Sequence, residues 1–375
     1  MEAMVRPESI NVDQPATPVL TTRFQKAIEY AAFLHTGQMR KGSDIPYIAH
    51  LLGVTALVLE EGGDEDEAIA ALLHDAVEDQ GGQATLEEIR KRFGARVARI
   101  VEACSDSDTI PKPPWRERKE RYIAHIRHAP PEVRRVSLAD KLYNARAILA
   151  DYRRVGERVW ERFNGGKDGT LWYYRELAKA FCEVGPQFMA EELDRVVAEL
   201  EKVVAVSDLH RLRLSFKPDK IKVLFVGESP PANGTFFYKA DSNLYHYTQQ
   251  AFASAFGSKY GPGEDFLKYI KDRGYYLDDL CLEAVNQLDD TTRRSKRDEG
   301  VPFLASRIRE YRPEAIVVVM SAIKAQVEQS AQTAGLGSVP FHAVPFPAQG
   351  NQKKYVAQLI KVLQELKEKG IIQSG

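Results

Sequence analysis

His50, the adjacent pair His74-Asp75, and Asp140 are the residues of this chain best suited to chemistry. Two imidazoles and two carboxylates form a mixed nitrogen and oxygen donor set, appropriate to a borderline divalent ion such as Mn²⁺, Fe²⁺ or Zn²⁺. An ion held this way turns water into a nucleophile near neutral pH. His74-Asp75 closes the run Glu67-Ala-Ile-Ala-Ala-Leu-Leu73, and Glu78-Asp79 follows about one turn later. The stretch Ala71-Leu-Leu-His-Asp-Ala-Val-Glu-Asp79 sets charges among apolar neighbours, which is costly unless a cation or partner compensates them. Taken alone, the pair also fits a C-cap histidine beside a surface acidic cluster. Its combination with His50 and Asp140, each in an amphipathic context, points to a metal centre and to phosphate-ester hydrolysis.

Helices must position these groups. From residue 21 to about 206 the apolar residues recur at helical spacing; Ala27, Tyr30, Ala31 and Leu34 share one face, and Leu51, Val54 and Val58 share another. Further helices are predicted at Asp66–Asp75, Thr85–Ala103, Arg116–His128, Pro131–Ala150, Leu171–Val184 and Gln187–Val206. Thr85 with Glu88 reads as a capping box, and Pro130-Pro131 punctuates the entry to the helix carrying Asp140. No strand pattern occurs here, so residues 21–206 are expected to form an all-helical domain. Residues 207–220 read as a linker, and residues 221–375 alternate short apolar runs with helices. Ile221–Val226 and Ala315–Met320 look like buried parallel strands, Tyr275-Tyr-Leu277 and Phe341–Val344 like further extended segments. The expected fold class is therefore multidomain: an all-α domain followed by a three-layer α/β domain with a mostly parallel sheet.

Composition sets outer bounds. The 375 residues suit two domains, and a net charge of −1 provides no bulk field for nucleic acid or membrane. The halves differ: residues 1–206 hold 29 Lys/Arg against 34 Asp/Glu, and 207–375 hold 23 against 19. Only the second half leans toward a polyanion. Cys104, Cys182 and Cys281 are odd in number and lack CxxC spacing, which fits a reducing compartment. The residues before Thr22 read as a poorly ordered lead without a signal-peptide apolar core, and no run is long enough to span a bilayer. A cytoplasmic protein without membrane association is expected.

Four stretches carry a family resemblance: Gln38-Met-Arg-Lys-Gly-Ser-Asp-Ile-Pro-Tyr-Ile-Ala-His50, Ala71–Asp79, Phe93-Gly94 and Leu138-Ala-Asp-Lys-Leu-Tyr-Asn144. Over about residues 23–185 the chain resembles the HD-domain hydrolases of the RelA/SpoT type, most of all the small alarmone hydrolases. The resemblance implies an all-helical HD fold, one Mn²⁺, and removal of the 3′-pyrophosphate of (p)ppGpp. It implies His50, His74, Asp75 and Asp140 as ligands, and Glu78 and Asp79 as the acidic pair preparing the attacking water. Arg40 and Lys41 match the basic pair beside the nucleotide, and Lys141 and Asn144 match substrate-contacting positions. His35 matches a family position outside the ligand set. One departure concerns substrate: after Phe93-Gly94 the family runs to a Val-Thr-Lys-like step, whereas this chain reads Glu102-Ala-Cys-Ser-Asp-Ser-Asp108. Trp115, Arg116, Arg118 and Lys119 are placed to line the pocket mouth. The glycine loop Arg162-Phe-Asn-Gly-Gly-Lys167 either closes over phosphates or simply connects helices. His125 and His128 read as surface residues.

In the second half, Val223-Leu-Phe-Val-Gly-Glu-Ser-Pro-Pro231 resembles the first motif of the uracil-DNA glycosylase superfamily, and Val344-Pro-Phe-Pro-Ala-Gln-Gly-Asn351 occupies the place of its late loop. A generic α/β fold is the alternative. The family's late histidine falls at Val344, with His342 two residues earlier, and its glycine after the first proline is Pro231. Gly227, Glu228, Pro230 and Phe237 mark a possible second site, with Phe236, Phe237 or Tyr238 stacking on a base and Arg293-Arg-Ser-Lys-Arg297 near phosphates or in a solvated loop. These departures favour binding or sensing of a base or nucleotide over excision; a DNA repair or defence role for this half is the alternative.

Overall fold

The structure is a computed structural model and describes residues 19–105, 113–261 and 263–373. Most of the expected lead, Asp106–Asp108 of the departing segment and Pro262 lie outside the described residues. The chain divides into two compact units, 1–202 and 203–375.

The first unit is built from α1 (Thr22–Leu34), α2 (Ile48–Glu60), α3 (Glu65–Leu73), the four-residue α4 (Ala76–Asp79), α5 (Gly82–Phe93), α6 (Ala95–Cys104), α7 (Trp115–His128), α8 (Pro131–Val155) and α9 (Gly166–Val184), with a 3₁₀ turn at Gly156–Arg162. Helix α10 (Gln187–Ser215) follows, so residues 207–215, expected in a linker, are helical. An isolated antiparallel bridge pairs Met39 with Pro46. The unit is organised around α3, which packs against α1, α2, α6 and α8 and is buried from Glu67 to Leu73. Its start is fixed by a capping box between Asp64 and Glu67, and Arg135 ion-pairs with the buried Glu67 carboxylate. The capping box expected at Thr85 is not formed. Gly81 and Gly82 turn the chain with φ of 125° and 59°, the helix starts three residues earlier, and the Thr85 hydroxyl donates to Gln80 O at 2.7 Å. The expected helix Thr85–Ala103 is also two helices, broken at Gly94, whose φ of 98° is open to glycine.

The second unit holds β1 (Val223–Gly227), α11 (Asn243–Phe256), α12 (Asp265–Asp272), β2 (Tyr275–Asp279), α13 (Asp290–Tyr311), β3 (Ala315–Val318), α14 (Lys324–Thr333), β4 (Phe341–Ala343) and α15 (Gln352–Glu368). The four strands are all parallel, in the order β2-β1-β3-β4. Parallel crossovers are right-handed, so the passage from β1 to β2 and the passages to β3 and β4 put their helices on opposite faces. Packing agrees, pairing α11 with α15 and α13 with α14. β1, β2 and β3 are buried throughout; β1 and β3 are apolar runs, whereas β2 ends on the buried Asp278 and Asp279. The chain leaves β1 in one direction to reach β2 and is found on the other side at β3, which creates a crevice at the carboxyl ends of the strands. No described helix is long and apolar enough to cross a membrane.

Candidate metal centre and flanking cavities

The junction between α3 and α4 is where the two adjacent candidate ligands fall. Leu73 ends one helix, Ala76 starts the next, and His74 and Asp75 occupy the break. His50 comes from the first turn of α2 and Asp140 from the middle of α8. His50 Nε2 lies 3.4 Å from His74 Nε2, 3.3 Å from Asp75 Oδ2 and 3.3 Å from Asp140 Oδ1. His74 Nε2 is 3.1 Å from Asp75 Oδ2 and 3.6 Å from Asp140 Oδ1. Donor atoms about 2.1 Å from a shared ion stand roughly 3.0–3.4 Å apart in octahedral or tetrahedral arrangements. Four of the five separations fall within that range and the fifth lies 0.2 Å beyond it, and His50, His74 and Asp140 are buried.

Neighbouring groups orient this set. His74 Nδ1 is 2.9 Å from Ala71 O, a contact that puts the proton on Nδ1 and turns the Nε2 lone pair to the centre. Tyr47 donates to Asp75 Oδ2 at 2.6 Å, Asn144 Nδ2 to Asp140 Oδ1 at 2.6 Å and Lys141 Nζ to Asp140 Oδ2 at 2.6 Å. Burial raises both carboxyls, yet their cationic and hydrogen-bonding neighbours outweigh it and hold Asp75 and Asp140 below the usual carboxylate range. Burial likewise lowers His74, and the two carboxylates overcome this to raise it well above an ordinary imidazole. So strong a demand for positive charge in a buried pocket fits a divalent cation, and the donor chemistry fits it equally well.

Among the other expected residues, Arg40 reaches the donor set through Asn144. Arg40 Nη2 donates to Asn144 Oδ1 at 3.0 Å, and its guanidinium stands 5.2 Å from the Tyr143 ring. Glu78 and Asp79 are exposed on α4; Asp79 Oδ2 accepts from Gln38 Nε2 at 2.9 Å. His35 is buried, its Nδ1 2.7 Å from Gln38 Oε1 and its ring stacked on Tyr47, apart from the donor cluster. His125 and His128 are exposed. The sequence reading passed over Tyr47, Gln38 and Tyr143, although all three lie within the motifs that it used.

Two cavities border the cluster. One of about 410 Å³ is lined by Arg40, Lys41, Tyr47, Tyr143 and Asn144 together with apolar groups. The second, about 290 Å³, holds Lys41, Arg118, Lys119, Lys141 and Arg162 beside Trp115, Tyr173 and Tyr174. The Arg162–Lys167 loop contributes Arg162, Phe163 and Asn164 to this wall. Arg116 does not line it; the side chain ion-pairs with Glu120 and lies over Trp172.

In the second unit a cavity of about 180 Å³ sits at the strand-end crevice, with Gly227, Glu228, Pro230 and Phe237 in its lining, joined by Phe236, Asp279, Asn286 and Phe346. Tyr238 is instead a core residue: it is 2 % exposed, and its hydroxyl bonds Leu277 N and O. Arg293–Arg297 is not a loop, and Arg293 also lines the cavity. The run lies in α13, where Arg293 donates to Glu228 Oε1 at 2.8 Å and Arg297 to the same oxygen at 2.6 Å. His342 lies on β4, 3.8 Å from Glu365 Oε1, outside the cavity lining. A buried network absent from the sequence reading ties this end together: Arg213 donates to Asp278 Oδ1 at 2.6 Å and Asp279 Oδ2 at 2.7 Å, and Arg307 to Asp278 Oδ2 at 2.7 Å. Burial pushes the Asp279 carboxyl up to about 6.

The HD domain family profile matches residues 27–171. The guanosine-3′,5′-bis(diphosphate) 3′-pyrophosphohydrolase MESH1 of Mus musculus is 43% identical over 126 residues, covering 33% of this chain and 68% of its own length. The human protein of that name is 43% identical over 138 residues, covering 36% of this chain and 72% of itself. The guanosine-3′,5′-bis(diphosphate) 3′-pyrophosphohydrolase of Aquifex aeolicus is 36% identical over 131 residues, covering 35% of this chain and 18% of its own.

Proposed function

This chain belongs, through its helical unit, to the HD-domain hydrolases related to the guanosine-3′,5′-bis(diphosphate) 3′-pyrophosphohydrolases, and we propose that it removes the 3′-pyrophosphate of (p)ppGpp or a closely related nucleotide. The observation that carries this reading is that the His50 and His74 Nε2 atoms lie 3.4 Å apart and each stands 3.1–3.6 Å from Asp75 Oδ2 and Asp140 Oδ1, beside two cation-lined cavities. His50, His74, Asp75 and Asp140 would hold one divalent cation, with Mn²⁺ the proposed ion. When bound, such an ion supplies an acidified water and neutralises phosphoryl charge. Glu78, with Asp79, takes the proton of the attacking water. Arg40, Lys41 and Lys141 neutralise the anionic substrate, and Asn144, bridging Arg40 and Asp140, links substrate position to the ligand set. The test is incubation of the full chain with ppGpp and Mn²⁺, followed by chromatography. GDP and pyrophosphate are expected, and their loss in Asp75→Asn; no product from metal-loaded wild type rejects the substrate.

A second reading concerns residues 221–375, for which we infer a base- or nucleotide-binding role. Its support is the cavity at the sheet's switch point, lined by Gly227, Glu228, Pro230 and Phe237. Likeness to the uracil-DNA glycosylase superfamily remains part of this proposal. Excision is disfavoured because no histidine lines the cavity among the described residues. Uracil-containing oligonucleotides test it: binding without cleavage is expected, and base release would restore the repair reading.

A further inference from the structure

The strand-end cavity of the second unit contains one carboxylate that the protein leaves short of donors. Asp279 ends β2, lines the cavity and is 4 % exposed. Its Oδ2 accepts from Arg213 at 2.7 Å, while its Oδ1 has no hydrogen-bond partner among the described residues. That oxygen lies over Gly227, where a Cβ would stand 2.5 Å from it, so the glycine is what allows the close approach. A carboxylate has about four acceptor sites, and burying one without donors is costly. Burial pushes this carboxyl up to about 6 against the pull of Arg213, and it is ionised above that value. Glu228, in the same lining, is already served: Arg293 donates to its Oε1 at 2.8 Å and Oε2 at 2.5 Å, and Arg297 to Oε1 at 2.6 Å. On the exposed side, Asn286 Oδ1 accepts from Ala232 N at 3.0 Å, which leaves its Nδ2 a donor without a partner among the described residues. Phe236, Phe237, Leu244, Met320 and Phe346 make much of the remaining wall apolar. At about 180 Å³ the cavity is smaller than the roughly 300–1,000 Å³ of sites for drug-sized ligands. It has room for a base and not for a whole nucleotide.

We propose that this cavity takes a guanine-type base, a planar ring system whose facing edge carries a ring N–H beside an exocyclic amino group, with Asp279 as the specificity-determining residue. This rests on the base-binding role inferred above for residues 221–375 and names the base. Two adjacent N–H donors supply what the Asp279 carboxylate lacks, as charge-assisted hydrogen bonds. A uracil edge flanks its single N–H with carbonyl oxygens, which a carboxylate repels. Adenine and cytosine set a ring nitrogen lone pair beside their amino group, with the same consequence, and hypoxanthine has the ring N–H without the amino group. The phenylalanine faces stack on the ring, and Asn286 Nδ2 is available to a ring acceptor away from the Asp279 edge.

The experiment titrates the full chain calorimetrically with 9-ethylguanine, 9-ethylhypoxanthine, 1-methyl-9-ethylguanine and 1-ethyluracil, and crystals soaked in 9-ethylguanine locate the bound base. 9-Ethylguanine binds at least about tenfold more tightly than each of the other three, as the loss of one hydrogen bond to a charged group requires. The crystals place its amino-bearing edge on Asp279 Oδ1. Asp279→Asn, checked for folding by circular dichroism, loses the preference; if that variant does not fold, the wild-type series and the soaked crystal decide without it. Bases that occupy the cavity with equal affinities, or a preference that survives Asp279→Asn, overturn the proposal and leave the base-binding role standing. A cavity that takes up no base in wild type, or guanine found only in the helical unit, rejects that role and the proposal with it.

Discussion

At the scale of single residues, Tyr47 shows how the donor cluster is held. Its hydroxyl gives a 2.6 Å hydrogen bond to Asp75 Oδ2, and burial together with Asp75 keeps the phenol protonated by raising it above its ordinary value. Tyr47→Phe removes only that donor, so metal affinity or turnover should fall about 10–100-fold, the usual cost of losing a group that orients a ligand. An unchanged metal titration would show that Asp75 needs no such support. Glu228 provides a pH test in the second unit. Burial alone would raise its carboxyl, but hydrogen bonds from Arg293 and Arg297 outweigh this and lower it. A depressed folded-state value stabilises the fold above the unfolded carboxylate value of about 4.3 and loses that contribution as pH falls through the folded one. Urea unfolding across that acid range should therefore be less steeply pH-dependent in Glu228→Gln; matching slopes would deny Glu228 this part. The metal-ligand candidates were legible because His and Asp among alanines and leucines are conspicuous. Tyr47, Gln38 and Asp279 were not, because a tyrosine, an amide or a strand-end carboxylate is common on any surface and only tertiary packing gives it a partner.

At the scale of elements, the position of each helix depends on a few close approaches. Gly53 on α2 is one: a Cβ there would stand 2.1 Å from the Tyr143 ring, and that ring packs edge-on against His50 with centroids 5.1 Å apart. Gly53→Ala should cost about 1–3 kcal/mol by overpacking and weaken cation binding by displacing His50; a melting temperature equal to wild type would contradict the contact. Arg213 has the corresponding place in the second unit, 2 % exposed between Asp278 and Asp279. Arg213→Ala leaves the buried Asp279 carboxylate without its cation and Asp278 with Arg307 alone, and should cost about 3–5 kcal/mol in denaturant unfolding. Helix periodicity and buried strand runs identified most elements, but their ends were set by features periodicity does not register. The glycine pair 81–82 moved a helix start ahead of Thr85, Gly94 divided one expected helix, and Arg293 and Arg297, read as part of a basic run, fall in a helix that begins at Asp290 and pair there with Glu228.

For the whole molecule, a helical unit with a candidate metal centre and an α/β unit with its own strand-end cavity are joined in one chain. A ligand that binds only the folded state stabilises it, by about 2.7 kcal/mol at a hundredfold excess over Kd. A divalent cation should raise the unfolding temperature of the wild type and leave His74→Ala unmoved, as scanning calorimetry would register. The division into a helical and an α/β half was legible from the change of period after residue 206, since helices and buried strands distribute apolar residues differently. The family of the first half was legible because side chains of distinctive chemistry recur there in a fixed order; the second half has no such series. The central claim, that four side chains from α2, the α3–α4 junction and α8 grip one cation, is tested most directly by anomalous diffraction from crystals grown with Mn²⁺. A single strong peak in contact with His50 Nε2, His74 Nε2, Asp75 Oδ2 and Asp140 Oδ1 is the predicted result, and a cluster with no peak, or a peak elsewhere in the helical unit, would contradict it.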